Sequence, residues 1–247
     1  MKLRIITAAA IKGGTGKTTS IAALAQAATA AGKKALAIDL DPQANLTAIL
    51  GAARDGFGSM ELLQGAEASD LIQHTKQGVD VISGSPYLAT VKTRAADATQ
   101  LREALDPIRE EYQFIFIDTP PTIGAMTFEA LQASTGLIVP LEADSSSIQG
   151  LFQIVDVAKT IKGDNPSLAI LGSVLTRYDK RPKLNRACRD LIAEKGKQIG
   201  APLIAEIRPS VTIREAQAMR VSLYEYAPKS NPAEDYKALY STILRRG

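Results

Sequence analysis

Eight consecutive residues, Lys12-Gly13-Gly14-Thr15-Gly16-Lys17-Thr18-Thr19, constrain the fold more than any other feature of the chain. They follow an apolar run at residues 3–9 and open an Ala-rich run at 18–31, so the pattern predicts strand, tight turn and helix in that order. Glycines let such a turn aim successive backbone N–H groups at phosphate oxygens, and the helix N-terminus adds the positive end of a dipole. Lys17 then supplies a cation to the β- and γ-phosphates, and the Thr18 hydroxyl suits Mg²⁺. The common pattern G-x-x-x-x-G-K-[ST] would begin with a glycine at position 11. This chain has Ile11 there and a second lysine, Lys12, next to it.

The alternation continues along the 247 residues. Strands are expected at 34–40, 79–83, 114–117, 136–141, 168–176 and 203–207, and helices at 59–64, 98–112, 145–161, 184–199 and 233–246. Gly32 is the expected C-cap of the first helix. Residues 51–58 and 83–99 read as loops. Apolar strands without strict alternation, separated by helices, imply a parallel sheet covered on both faces. Right-handed crossovers make this an α/β fold with a single doubly wound, mostly parallel sheet. No linker-like break divides residues 1–247, so one phosphate-loop domain is expected.

Three aspartates end the apolar strands. Asp39 and Asp41 lie in Ile38-Asp39-Leu40-Asp41-Pro42-Gln43. Carboxylates just past a strand end face the ligand crevice of an open α/β sheet. If the strand runs through both, they point the same way. One can hold Mg²⁺ through water while the other positions an attacking water. The competing reading is an Asx turn ahead of Pro42. Asp118 closes the run Phe114-Ile115-Phe116-Ile117 and precedes Thr119-Pro120-Pro121. A Walker B carboxylate is presented to Mg²⁺ in this way, and the prolines stiffen the strand exit.

Together these three boxes resemble those of the ParA/MinD family of ATPases with a deviant Walker A loop. The resemblance continues through Leu141-Glu142, Ser147 to Leu151, Leu175 to Asp179, Glu215-Ala216 and Val221 to Lys229. It implies ATP and Mg²⁺ as cofactors, with Lys12 reaching across a nucleotide-sandwich homodimer to the partner's phosphates. It also implies Asp41 as the water-activating residue and Asp39 near a metal held by Thr18 and Asp118. Many ParA proteins carry Ile-Pro-Arg-Asn in a loop beside the adenine. Here the matching positions read Ile207-Arg208-Pro209-Ser210, which makes Arg208 and Pro209 the expected base neighbours. With the phosphate loop at residue 12, the N-terminal helix-turn-helix domain of larger members is not expected. The implied function is DNA partition: an ATP dimer binds DNA non-specifically, and a ParB-like centromere-binding protein stimulates hydrolysis.

The charge distribution bears on that expectation. Net charge is only +3, yet between Arg177 and Arg189 six basic side chains stand against Asp179 alone. Arg181, Lys183, Arg186 and Arg189, spread along one helix, are candidate DNA contacts, joined by Arg214; a solvated helix face is the alternative. Tyr236, Leu239, Tyr240, Ile243 and Leu244 share one face of the last helix. In a MinD-like alternative that face would meet a membrane, but docking on the body is expected. A metabolic phosphate-loop enzyme is the third possibility. The single Cys188 and single His74 exclude an internal disulfide and Cys- or His-rich metal sites; Cys188 is expected packed, His74 at the surface and Tyr178 in the core. With no apolar run near ~18 residues, the protein is expected to be cytoplasmic, nucleoid-associated and free of membrane.

Overall fold

A computed structural model of the chain describes residues 3–54, 57–92, 94 and 97–246. Positions 55, 56, 93, 95 and 96 of the two expected loops, with residues 1, 2 and 247, lie outside the described residues. Strand β1 (Arg4–Ala8) passes through the glycine loop into α1 (Lys17–Ala30). The C-cap is Ala31, one residue before the expected cap Gly32, which follows it at φ +72°. The chain continues through β2 (Ala35–Asp39), α2 (Asn45–Leu50), α3 (Ser59–Leu63), α4 (Ala68–Leu71), β3 (Gln73–His74) and β4 (Asp80–Ile82). Next come α5 (Gln100–Leu105), β5 (Phe114–Asp118), α6 (Ala125–Ala133), β6 (Gly136–Leu141), α7 (Ser145–Ile161) and β7 (Ala169–Leu175). The C-terminal part holds α8 (Lys183–Ile199), β8 (Leu203–Glu206), α9 (Thr212–Ala218), α10 (Leu223–Tyr226) and α11 (Asn231–Arg246).

The strands form one sheet in the order β3-β4-β2-β5-β1-β6-β7-β8. Every pairing is parallel except β3 with β4 at one edge. β1 is flanked by β5 and β6, while its own crossover leads outward to β2. The connections therefore diverge at β1, and the crevice beyond its C-terminal end is where such sheets hold ligands.

Both sheet faces are covered, which explains the unbroken apolar runs. On β5, Phe114 and Phe116 face a cluster with Leu24 of α1 and Tyr236, Leu239 and Ile243 of α11. Ile115 and Ile117 face the opposite cluster, with Leu101 and Leu105 of α5 and Ala130 of α6. Under the other half of the sheet, Leu137, Val139 and Leu175 meet Leu151 and Ile154 of α7, Tyr178 and Ile192 of α8. Each such large side chain contributes about 1.5–3 kcal/mol on burial. The last helix is docked, as expected: its apolar face is buried, and Arg4 donates to the carbonyls of Ile243 (2.6 Å) and Leu244 (2.8 Å) at its C-terminus.

Three local expectations are corrected. The helix expected at 98–112 is α5 followed by a short 3-10 turn, Asp106–Ile108, because Pro107 has no N–H to continue the α ladder. The helices α2, α4, α6, α9 and α10 and the edge strand β3 were not anticipated. Arg181 precedes α8 rather than lying on it, so the four basic residues do not share one helix. Cys188 is half-buried, and His74 is exposed with its Nδ1 2.7 Å from Asp80.

Candidate nucleotide site

The loop between β1 and α1 is shaped by two glycines in left-handed conformations, Gly14 at φ +77° and Gly16 at φ +84°. Gly16 is also closely packed: a Cβ there would stand 3.1 Å from Cγ2 of Thr176, which would have to give by a few tenths of an ångström. Thr176, at the end of β7, fastens the loop by donating its hydroxyl to the Thr15 carbonyl at 2.8 Å. Arg177, itself left-handed at φ +51°, donates to the Gly14 carbonyl and to Glu142. The loop is thus held from outside by the ends of β6 and β7.

The two lysines have opposite settings. Lys17 is buried, and its Nζ donates to the Lys12 carbonyl at 3.4 Å. Burial lowers its pKa, while the charges of Asp118 and Asp41 oppose that shift. Lys12 is half-exposed at the loop mouth, 2.7 Å from Asp144 and 3.7 Å from Glu142. Burial pushes the Asp144 carboxyl up, but hydrogen bonds from Lys12, Ser146 and Ser147 outweigh it and hold the pKa at about 2.

Asp39 and Asp118 end neighbouring strands in direct register. Oδ2 of Asp118 accepts the Thr18 hydroxyl at 2.6 Å, while its Oδ1 is buried with no hydrogen-bond partner. Burial, then the Asp39 charge, raises the Asp118 pKa well above the ordinary carboxylate range. Asp39 is raised to about 6 by burial, against bonds from Thr47 and the Asp41 amide. Its Oδ2 accepts from both the amide (2.9 Å) and hydroxyl (2.8 Å) of Thr47, and its Oδ1 from the Asp41 amide (3.1 Å). Asp39 therefore ties the following loop to the sheet, and Asp118 presents the bare oxygen. Asp41 makes the Asx turn, accepting the Gln43 amide at 2.9 Å, and is buried.

An orphaned carboxylate oxygen beside a threonine hydroxyl, amid excess buried negative charge, fits a hard divalent cation. No group of three His, Cys, Asp or Glu among the described residues can hold a metal alone. The fit is therefore to Mg²⁺, which keeps waters and takes phosphate oxygens for most of its shell.

From Gly16 and Thr19 a cavity of about 550 Å³ extends past Thr176 and Arg177 to the loop after β8. Arg208 and Pro209, the expected base neighbours, line it. The Arg208 guanidinium is engaged by Asp235 (2.7 Å) and Glu234 (3.3 Å) of α11. Arg214, expected at a DNA surface, lines this cavity as well. Gln217 and Tyr236 complete the wall without having been anticipated. Neither were Thr47, Asp144, Thr176 and Arg177 anticipated as site residues; the similarity at 141–142 and 175–179 was the available signal for that region.

The basic segment is partly neutralised. Arg181 grips Asp179 (2.6 Å), and Arg189 pairs with Glu206 (2.7 Å) and Asp190 (3.1 Å). Lys183 and Arg186 have no ion-pair partner among the described residues, and both are exposed. Arg186 donates to the carbonyls of Lys180 (2.9 Å) and Arg181 (2.8 Å).

Comparison with known proteins places the chain in a family. A family model described as an AAA domain matches residues 3–170. The chain is 33% identical to the chromosome-partitioning ATPase Soj of Thermus thermophilus, over 99% of this chain and 97% of that protein. It is 32% identical to the chromosome partitioning protein ParA of Caulobacter vibrioides, over 99% and 95%. Among solved structures, the septum site-determining protein MinD of Pyrococcus horikoshii, complexed with Mg-ADP, has a TM-score of 0.80 at 28% identity, covering 98% of this chain and 96% of that one. The chain belongs to the ParA/MinD family of phosphate-loop ATPases.

Proposed function

We propose that this chain is a DNA-partition ATPase, a switch that dimerises around ATP, binds DNA without sequence preference in that state, and releases it after hydrolysis. The observation that carries this reading is the opposed setting of the two loop lysines. Lys17 is buried beside Asp118 and Asp41, where it meets phosphates lying in its own loop. Lys12 stands half-exposed at the loop mouth, paired with Asp144 and Glu142, and would leave them for phosphates brought by a facing copy. A ligand bound only by the assembled pair stabilises that pair by mass action.

In this reading the Thr18 hydroxyl and Asp118 would hold Mg²⁺, which would supply neutralisation of the phosphate charge. Asp41 orients the attacking water, and Asp39 keeps Asp41 in place through its amide. Arg208 and Pro209 border the base. A ParB-like partner stimulates weak intrinsic turnover. Lys183 and Arg186, free of carboxylates, make the first phosphate contacts of a sequence-blind DNA surface. Arg181 and Arg189 join after leaving their acidic partners. The protein would act in the cytoplasm, on the nucleoid. A MinD-like membrane cycle is less well supported, since Tyr236, Leu239 and Ile243 of α11 are buried. No helix among the described residues is long and apolar enough to cross a membrane.

The test is DNA binding by wild type and Asp41→Ala with ATP or ADP. ATP-dependent, salt-sensitive, sequence-blind binding that the variant retains is expected. Absence of binding under ATP at low salt for both proteins defeats the reading. Turnover that requires a small-molecule co-substrate would point to a metabolic enzyme instead.

A further inference from the structure

We infer that Arg177 contacts the nucleotide directly, its guanidinium plane forming the platform on which the base stacks. This rests on the reading above that a nucleoside triphosphate occupies the phosphate loop. With phosphates on the loop amides, the nucleoside must leave toward open space. The cavity of about 550 Å³ that begins at Gly16 and Thr19 provides it, and Arg177 is part of its wall.

The residue is held there against its own backbone preference. A non-glycine residue at φ +51° costs about 1–2 kcal/mol and persists only where its surroundings impose it. Main-chain bonds fix the backbone on either side, from the Thr176 amide to Leu141 and from the Tyr178 amide to Ile207 (2.8 Å each), and the Arg177 guanidinium donates to the Gly14 carbonyl and the Glu142 carboxylate. The latter bonds lie in the guanidinium plane and leave its two faces free. The Arg177 side chain is 57% exposed, so a face is open to a ligand. The cavity wall also carries apolar Ile207, Pro209, Val211 and Ile213. A slot between a fixed planar cation and apolar walls suits a flat heteroaromatic ring. Arg208, in the same wall, is bound to Asp235 and Glu234 of α11. Arg177 is bound instead to the phosphate loop, so base contact and loop geometry meet in one side chain.

Calorimetric titration of ATP and of inorganic tripolyphosphate, each with Mg²⁺, separates a base contact from loop support. Arg177→Ala is expected to weaken tripolyphosphate binding modestly, through the lost Gly14 contact, and ATP binding roughly tenfold more than that. Arg177→Lys keeps the charge without the plane, and the same ligand-selective loss is expected. It also supplies the comparison if the alanine variant does not fold. Equal losses for both ligands would mean that Arg177 acts only through the loop, and no loss for either would mean that it touches nothing; either result overturns the inference. A wild-type protein that binds neither ligand defeats the proposed function itself.

Discussion

Substituting Gly16 by alanine tests how the loop is built. Two separate penalties follow from the structure. At φ +84° an L-residue costs about 1–2 kcal/mol relative to glycine. The new Cβ would also stand 3.1 Å from Thr176 Cγ2 and 3.4 Å from its Oγ1. Thr176 must give way, which strains the 2.8 Å bond to the Thr15 carbonyl, an interaction contributing about 1 kcal/mol. The sum is about 2–3 kcal/mol, or a fall in Tm of roughly 5–10 °C for a chain of this size. Chemical and thermal melts of the nucleotide-free protein measure it. Thr176→Ser removes Cγ2 while keeping the hydroxyl. In that background Gly16→Ala should cost less, since the 3.1 Å contact is gone, while the contacts to Cβ (3.3 Å) and Oγ (3.4 Å) of residue 176 and the backbone penalty remain. ATP affinity should fall with the loop displacement in the first background and recover in part in the second. Equal penalties in both backgrounds, or an alanine variant as stable as wild type, would refute the reasoning.

Other outcomes are expected from the same account. Asp41→Ala should bind ATP normally but hydrolyse it at least ~100-fold more slowly, as followed by phosphate release. Lys183→Ala with Arg186→Ala should reduce the salt slope of DNA binding by about 2; Arg181→Ala and Arg189→Ala should change it less, because both side chains already hold carboxylates. Glu129 of α6 is buried and accepts the Leu101 amide at 3.0 Å; burial raises its pKa to about 7, against that bond. Between the ordinary glutamate value and about 7 the folded protein keeps a proton that the unfolded chain has released, so this group makes stability fall as pH rises through that window. Glu129→Gln keeps an acceptor and removes the charge. It should therefore match wild type near pH 4.5 and exceed it by about 2 kcal/mol at pH 8, after allowance for residual screening. An advantage of the same size at both pH values in urea melts would count against it.

The phosphate loop, the Asp118 strand and the doubly wound sheet were legible because each is a local pattern: glycines at fixed offsets, or apolar runs ended by a carboxylate. The docking of α11 was legible from its apolar face. Short helices such as α2 and α9 were not, since six or seven residues hold too few turns to show a period. Pro107 marks the break in the expected 98–112 helix. The ion pairs of the basic segment escaped because Glu206 lies outside its window, 17 residues beyond Arg189. The clamp of Arg177 on Gly14 joins residues 163 apart, and only the meeting of β1 and β7 ends across the sheet brings them together.

The central claim is that ATP joins two copies through Lys12. Light-scattering mass of the Asp41→Ala protein in Mg-ATP and in Mg-ADP, with Lys12→Ala added in the same background, tests it most directly. The account predicts twice the protomer mass in ATP, a single protomer in ADP, and a single protomer in both nucleotides once Lys12 is gone. A mass that does not change with nucleotide, or a dimer that survives Lys12→Ala, would contradict it.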